Sequence, residues 1–291
     1  MGAPQDLGGF GPFDVRPTAE GATIRERLLR SPPFIGLLAL ALLLLIWQWI
    51  AWVNTRVPGI DEIVRFMVTE MSGGSHGGAL TGEFWAPLAT SMQRYAVGLA
   101  IGVPIGAALG LLIGAFRWAR GLFNDTVLVL LALPAVVWAF LAALWFGLSA
   151  WGPILAVVLT VVPFMAVNLS AGVRNIEPGL IQMSRSFDVP FGRRFVHLLF
   201  GGSLPSGFTG LRLAFMTGWN SLLIVEWFGA TSGVGWRARF WYDALRYPGF
   251  VGWIFLFVIL ITLLDRLLLS PLERRAFRWN QQPTLTFEEE L

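Results

Sequence analysis

The chain of 291 residues contains no cysteine and, although 21 of its residues are basic, no lysine. Without cysteine it cannot form disulfides, thiolate metal sites or iron–sulfur clusters, and it has no cysteine nucleophile. Without lysine it cannot form the phosphate-binding loop G-x-x-x-x-G-K-[ST], whose lysine reaches the terminal phosphates of ATP. If ATP drives this protein, another subunit must therefore bind it.

Charge is also scarce. Charged residues make up 13% of the chain, hydrophobic residues 55%, and the mean hydropathy is +0.65, whereas soluble domains carry about 25% charged residues. The two histidines, His76 and His197, fall between the apolar segments. This composition leaves no room for a soluble catalytic domain, and we predict neither a catalytic residue nor a metal site.

Apolar runs long enough to cross about 30 Å of hydrocarbon recur along the chain. They predict an all-α, polytopic membrane protein with about six transmembrane helices. We expect residues 1–32 to form a cytoplasmic amino-terminal tail, 33–272 the transmembrane domain and 273–291 a cytoplasmic carboxy-terminal tail. The predicted spans are residues 33–53, 91–115, 124–146, 153–173, 204–228 and 250–269.

The second predicted span carries small residues at a regular spacing. Glycines recur there every four residues and so share one helix face, which allows a neighbouring helix to approach closely. We expect tight helix packing at this face rather than a ligand site. The glycines are Gly98, Gly102, Gly106, Gly110 and Gly114. The third predicted span contains Pro134, and we expect Pro163 to break the fourth.

A basic, polar stretch separates the fourth and fifth spans. It runs from Arg174 to Gly207 and shows two short helical patterns separated by Asp188-Val189-Pro190. Its length and its arginines favour a docking surface for a cytoplasmic partner. The residues alone equally allow an amphipathic segment that lies on lipid headgroups.

The arginines predict the orientation of the chain in the membrane, because short cytoplasmic loops are enriched in basic residues. With both termini in the cytoplasm, most arginines fall in cytoplasmic segments, including those between Arg174 and Gly207. The sequence pI of about 10.1 then reflects membrane topology and does not indicate nucleic-acid binding.

Several stretches together resemble the permease subunits of binding-protein-dependent ABC importers, in the nitrate, sulfonate, taurine and bicarbonate branch. The resemblance covers residues 33–280 and is carried most densely by S-M-Q-R at 91–94, G-V-R-N-I-E-P at 172–178 and E-W-F-G-A-T-S-G-V-G at 226–235. It implies a path-forming subunit in a bacterial inner (plasma) membrane that works by alternating access. The implied partners are cytoplasmic ATP-binding subunits that hold ATP and magnesium, a periplasmic or external solute-binding protein, a second permease copy or sister chain, and membrane lipid.

The resemblance also implies an ATPase-coupling loop, at about residues 174–203. In the family this loop carries the pattern E-A-A-x-x-x-G, and this chain departs from it at all four matching positions, which are Gln182, Met183, Ser184 and Asp188. Asp188 tolerates a left-handed turn better than most residues, so we expect the bend to persist. The implied coupling residues are Gln182, Met183, Ser184, Arg185, Ser186, Phe187, Asp188 and Val189.

Four polar residues within the spans are candidates for the translocation path: Asn168, Asn220, Ser221 and Glu226. A carboxylate in a membrane helix is costly unless it is paired or faces water. Glu226 therefore either lies at the path or pairs with Arg237 or Arg239 as a structural contact. The other three are as suited to hydrogen bonds between helices as to lining a path.

These observations favour a non-enzymatic permease subunit that carries a small solute, by family branch an oxyanion or sulfonate. The altered coupling pattern leaves one alternative, a non-transporting membrane scaffold or the partner half of a heterodimeric permease. An ion-driven transporter is disfavoured because Glu226 and Asp265 fall near opposite ends of their spans.

Overall fold

The structure is a computed structural model that describes residues 32–72, 84–147 and 149–276. Every regular element in these ranges is helical. Of the predicted tails, 1–32 and 273–291, residues 1–31 and 277–291 lie outside the described residues, whereas residues 32 and 273–276 are helical. His76 also lies outside the described residues. The helices are Pro32–Val53 (α1), Ile60–Ser72 (α2), Trp85–Ala115 (α3), Arg117–Ala132 (α4), Ala135–Phe146 (α5), Trp151–Arg174 (α6), Pro178–Ser186 (α7), Phe191–Arg193 (α8), Gly201–Gly229 (α9), Val234–Asp243 (α10), Tyr247–Leu264 (α11) and Ser270–Ala276 (α12), with π-helical turns at Arg194–Phe200 and Asp265–Leu269.

Several of these helices are suited to a membrane. Among the described residues, four helical segments are both long and apolar enough to cross one, or up to five if the bent pair α4 and α5 forms one span. Helix α9 has 29 residues, which corresponds to about 43 Å at 1.5 Å per residue, but it is more polar. The protein is thus all-α and polytopic, in rough agreement with about six spans.

The chain divides into two units, Met1–Ile60 and Asp61–Leu291. The described part of the first unit is α1 and the loop that follows it. The Trp47 indole N–H donates to the carbonyl of Pro58 at 3.1 Å, and the amide of Ile60 donates to Gln48 Oε1 at 3.0 Å. These bonds fix the loop against the end of α1.

The second unit is built around α6. This helix packs mainly against α3 and α9, and also against α5 and α4. The largest cluster of buried side chains joins α3, α6, α9 and α11 through aromatic and β-branched residues. Its fully buried members include Tyr95, Val157, Trp219, Leu222 and Trp253.

The glycine face of α3 packs against α6, as predicted from the four-residue spacing. A methyl group at Gly106 would lie 2.6 Å from Met165 Cβ and 2.7 Å from the carbonyl oxygen of Val162. At Gly110 it would lie 2.7 Å from the carbonyl oxygen of Ala166. Because these distances are shorter than real Cβ contacts, only glycine permits this approach of the two helices.

The predicted third span, residues 124–146, is not one straight helix in the structure. Helices α4 and α5 meet at 96°, and the break lies at Leu133-Pro134. Proline disfavours the helical conformation in the residue before it, and Leu133 is extended, with φ −71° and ψ 126°. Pro134 therefore ends α4 and immediately precedes α5.

Three other features differ from the predictions. Pro163 does not break its helix but lies buried inside α6, since neighbouring helices in a membrane bundle compensate for the one hydrogen bond that proline removes. Helix α3 begins at Trp85 rather than near residue 91, so residues 85–90 form its first turns. The fifth span likewise starts early, because helical backbone runs without interruption from Phe191 to Gly229.

Candidate coupling segment and buried ion-pair network

The coupling segment, residues 174–203, joins α6 to α9 and contains α7. Helix α6 ends at Arg174, and the amide of the next residue, Asn175, donates to the carbonyl of Ala171 at 3.0 Å. Pro178 occupies the first turn of α7, where its missing N–H costs no helical hydrogen bond. The sequence thus ends one helix and starts the next within four residues.

The predicted break after α7 is present at Asp188. This residue has φ +48°, a left-handed conformation that aspartate adopts more readily than most residues. The amide of Val189 donates to the carbonyl of Ser184 at 3.0 Å, and the amide of Phe187 to that of Met183 at 3.1 Å. This hydrogen-bond pattern closes a helix end around a left-handed residue. The expectation that the bend persists with aspartate in place of glycine is confirmed.

Helix α7 presents an apolar face to the outside. Leu180, Met183 and Phe187 follow one another at spacings of three and four residues, which places them on one side of a helix. All three are exposed, and Phe187 retains 77% of its accessible surface. Gln182, Arg185, Ser186 and Asp188 are exposed as well, while Ser184 and Val189 are half-buried.

The opposite side of α7 is anchored to the bundle. Ile181 packs against a small buried cluster formed by Val173 at the end of α6, Ile176, and Leu199 in the π-helical turn before α9. Leu111 and Ala115, at the end of α3, pack against the same cluster. Through this cluster α7 is in contact with the ends of α3 and α6 and with the π-helical turn before α9.

A buried ion-pair network lies about 30 Å away along α3, at 1.5 Å per residue. Arg94 Nη1 donates to Glu226 Oε1 at 2.9 Å, and the Ser91 hydroxyl donates to the same carboxylate, 2.9 and 2.7 Å from its two oxygens. The amide of Gly235 donates to Glu226 Oε2 at 3.1 Å. Glu226 is completely buried and Arg94 is 8% exposed.

The same network fixes the turn between α9 and α10. Arg94 also donates to the carbonyl of Ser232 at 2.7 Å and to its hydroxyl at 2.8 Å. Gly233 has φ +109°, and a Cβ there would lie 2.3 Å from Glu226 Oε1, so this position requires glycine. Two of the stretches that carry the family resemblance, 91–94 and 226–235, are thus in direct contact.

The predicted partners of Glu226 were wrong. Arg237 pairs with Glu70 at 3.0 Å, and Arg239 pairs with Asp243 at 3.3 Å. Arg94 is not among the candidate residues that the sequence predicts. The available signal was the i, i+3 spacing of Ser91 and Arg94, which places both side chains on one face of α3.

The other path candidates lie in different environments. Ser221 is buried and accepts a hydrogen bond from the Thr160 hydroxyl at 3.0 Å, which joins α9 to α6. Asn168 donates to the carbonyl of Phe164 within α6 at 2.8 Å. Asn220 is exposed and lines a cavity of about 230 Å³ with Thr160 and Thr217. Of the four candidates, only Asn220 lines this cavity, and a path role remains a prediction for all of them.

Asp265, near the end of the last predicted span, pairs with a residue from another helix. Asp265 accepts from Arg212 Nη2 at 2.9 Å, and Arg212 Nη1 reaches Glu273 Oε2 at 3.3 Å. These bonds link α9 to the π-helical turn and α12 at the end of the described chain.

The fold defines a polytopic helical membrane protein with a short helix, α7, exposed between two long helices. A family model described as "binding-protein-dependent transport system inner membrane component" matches residues 102–275. This match covers more than half of the chain, and the chain belongs to that family.

Relatives extend the similarity to most of the chain. The putative aliphatic sulfonates transport permease protein SsuC of Escherichia coli K12 is 31% identical over 264 residues, covering 88% of this chain and 95% of that protein. The taurine transport system permease protein TauC of the same strain is 25% identical over 245 residues, covering 83% and 88%. A Bacillus subtilis 168 SsuC is 26% identical over 251 residues, covering 84% and 87%.

Solved structures share the fold. A chain of the MetNI methionine ABC transporter in an inward-facing conformation has a TM-score of 0.53 at 20% identity, covering 66% of this chain and 93% of that one. A chain of an amino acid ABC transporter solved with histidines has a TM-score of 0.53 at 16% identity, covering 65% and 92%.

The chain is therefore a permease subunit of a binding-protein-dependent ABC importer, a multi-pass membrane protein that performs transport rather than catalysis. The non-transporting alternative is not favoured, because the relatives are described as transport permeases.

Proposed function

We propose that this subunit forms the path for a small organic sulfonate or a related oxyanion, and that separate ATP-binding subunits drive it by docking on α7. A solute-binding protein delivers the substrate on the opposite side. The observation that carries the docking proposal is the exposed apolar face of Leu180, Met183 and Phe187 on a helix whose other side is packed against the bundle.

This face has the properties of an interface anchor. A large aromatic side chain at the centre of a patch contributes most when a partner's groove removes it from water. Burial of one such side chain stabilises a complex by about 1.5–3 kcal/mol. The polar side chains around the patch, including Gln182, Arg185 and Ser186, would form its rim. These residues, with Ser184, Asp188 and Val189, are the proposed coupling residues.

The contacts of α7 provide the proposed route from the ATP-binding subunits to the path. When these subunits close, they displace α7, and Ile181 carries the displacement to Val173 and Leu199. Helices α6 and α9 then move relative to their neighbours, and α9 carries Asn220, Ser221 and Glu226. The buried Arg94–Glu226 network holds the far end of α9 to α3 and α10, so it acts as the proposed pivot rather than as a lining of the path.

The proposed path runs between this subunit and a second copy or sister chain, along the cavity beside Asn220. Hydroxyl and amide groups from Thr160, Thr217 and Asn220 line it together with apolar side chains of α4 and α5. An amide and hydroxyls can donate hydrogen bonds to a sulfonate oxygen without the tight binding that an arginine would impose. Asn168 lies on α6 two helical turns beyond Thr160, on the side of the coupling segment.

The arginine distribution supports an orientation with both termini and the coupling segment in the cytoplasm. The described cytoplasmic segments in this orientation include the turn with Arg117 and Arg120 and the coupling segment with Arg174, Arg185 and Arg194. Cytoplasmic loops carry such an excess of basic residues. The ATP-binding subunits would then lie on the side where ATP is available.

A docking experiment tests the proposal. The permease is co-purified with its ATP-binding subunits, and bound subunit is quantified for the wild type and for Phe187→Ala. A loss of about 2 kcal/mol, typical of an aromatic anchor, corresponds to roughly 30-fold weaker association. Leu245→Ala is the matched control, because Leu245 is also an exposed apolar residue, 71% exposed, between α10 and α11.

Equal association of both variants would show that α7 is not the docking helix. In assembled complexes, we further expect Phe187→Ala to lose most of the ATP hydrolysis that loaded binding protein stimulates.

A transport experiment tests the path. Asn220→Leu removes the amide from the cavity, and we expect slower uptake of a labelled alkanesulfonate with unchanged association of the ATP-binding subunits. Asn124→Leu, the same substitution at the Asn124–Asp125 contact on α4, is the control. Unchanged uptake in Asn220→Leu would remove this cavity from the path.

A further inference from the structure

A second cavity, of about 440 Å³, lies between α7 and the ends of α3 and α6. Four arginines line it: Arg120 from α4, Arg174 from α6, Arg185 from α7 and Arg194 from the π-helical turn. Four like charges around one cavity repel each other, and a bound anion would relieve this repulsion.

Within the described ranges, no carboxylate lines this cavity and no ion pair is formed by any of the four arginines. Arg120 uses two of its N–H groups on the carbonyls of Ile113 and Gly114, at 3.4 and 3.2 Å. Arg194 lies over the ring of Phe191 at 5.6 Å. These contacts position the guanidinium groups but do not neutralise their charge.

The remainder of the lining is apolar. Val173, Ile176, Ile181 and Leu199 contribute side chains from the small cluster beneath α7. The cavity therefore combines a site for a strongly charged, oxygen-rich group with a surface suited to hydrocarbon. A phosphate group suits the arginines of this cavity, because a planar guanidinium donates two parallel hydrogen bonds to phosphate oxygens.

The position of the cavity also favours a lipid. Gly114 and Ala115 end the long apolar helix α3, and Val173 and Arg174 end α6. The cavity thus lies where these helices leave the hydrocarbon, at the level of the headgroups. Basic pockets between helices at this level bind anionic lipid headgroups.

We propose that this arginine cavity binds the phosphate of an anionic phospholipid and so attaches the coupling segment to the membrane surface. The lipid phosphate lies between Arg174 and Arg194, with Arg120 and Arg185 beside it, and the start of its acyl region contacts Ile176 and Leu199. Bound lipid would hold α7 in the position from which it receives the ATP-binding subunits. This effect on coupling rests on the proposed function, whereas the binding itself does not.

Lipid retention by the purified permease, without ATP-binding subunits, tests the binding. The chain is placed in neutral phosphatidylcholine nanodiscs with increasing phosphatidylglycerol, and specifically retained phosphatidylglycerol is quantified at high salt, where attraction between exposed charges is screened. We expect the Arg174→Gln, Arg194→Gln double variant to retain phosphatidylglycerol at least tenfold more weakly than the wild type. The Arg117→Gln, Arg266→Gln double variant, which changes two exposed arginines outside the cavity lining, should change it less than twofold.

A second variant keeps the test valid if the first one folds poorly. Arg174→Lys with Arg194→Lys retains both charges and removes the paired donors, and we expect intermediate retention. Equal retention by wild type and the glutamine variant, when both elute as the same species, would overturn the proposal.

Competition separates a lipid from other anions. We expect millimolar inorganic phosphate to leave the retained phosphatidylglycerol unchanged, and complete displacement would assign the cavity to a soluble oxyanion instead. The remaining competitor is the acidic sequence Glu288–Glu290 of this chain. If glutamine at all three of these positions raised lipid retention tenfold, the cavity would be occupied by that segment and the lipid proposal would be wrong.

Discussion

Removal of the Glu226 carboxylate should destabilise the bundle far more than removal of an exposed carboxylate. In Glu226→Ala, Arg94 keeps its contacts with Ser232 but loses its counter-charge while it is only 8% exposed. The Ser91 hydroxyl and the amide of Gly235 lose their acceptor as well. Breaking a buried ion pair by removing one partner costs about 3–5 kcal/mol.

This magnitude can be converted into a thermal shift. In a domain of this size, each kcal/mol shifts the unfolding temperature by about 2–4 °C. We therefore expect Glu226→Ala to unfold about 6–20 °C below the wild type. Asp243→Ala is the control, because the Arg239–Asp243 side chains are 45% and 60% exposed and such pairs contribute at most about 1 kcal/mol.

The assay is intrinsic tryptophan fluorescence of the purified permease in detergent, heated at one fixed rate because membrane proteins often unfold irreversibly. The buried Trp219 and Trp253 report on the core. The double variant Arg94→Met, Glu226→Leu removes both charges, and we expect it to be more stable than Glu226→Ala, since replacement of a buried pair by apolar side chains is often nearly neutral. The reasoning would be refuted if Glu226→Ala and Asp243→Ala unfolded at the same temperature.

Two other perturbations follow from backbone geometry. Gly110→Ala places a methyl group 2.7 Å from the carbonyl oxygen of Ala166 and should lower the free energy of unfolding by about 1–3 kcal/mol through overpacking. The control Gly121→Ala meets no atom within 4 Å and should not lower the unfolding temperature. Similar unfolding temperatures for the two variants would contradict the described packing of α3 on α6. Asp188→Gly should leave association with the ATP-binding subunits unchanged. Asp188→Val should weaken it, because a β-branched residue is strained at φ +48°. Equal association of both variants would exclude a role for this bend in docking.

The coupling segment shows which structural features can be predicted from nearby residues alone. The end of α6 and the break at Asp188 are each determined by residues within one or two turns, so the sequence predicted them. The exposure of Phe187 was not predictable in the same way, because it depends on which face of α7 packs against Val173 and Leu199. The arginine cavity likewise combines residues from α4, α6, α7 and the turn before α9.

The third predicted span shows what local sequence does not determine. Hydropathy over residues 124–146 is continuous, and nothing in composition distinguishes a kinked span from one that turns by 96°. Proline alone does not predict a helix end, since Pro163 is accommodated inside α6 whereas Pro134 follows the end of α4. The difference lies in the surroundings, because Pro163 is buried within the bundle whereas Pro134 is exposed.

The sequence by itself determined the helical membrane character, the absence of a lysine-containing phosphate loop, the glycine face of α3 and the position of the coupling segment. These properties depend on composition and on spacings of three or four residues, which act within one helix. Only the tertiary structure determined that Glu226 pairs with Arg94, 132 positions away, and not with the nearby Arg237 or Arg239. A buried charge takes the partner that the packed helices bring within hydrogen-bond distance, and separation along the chain does not fix that choice.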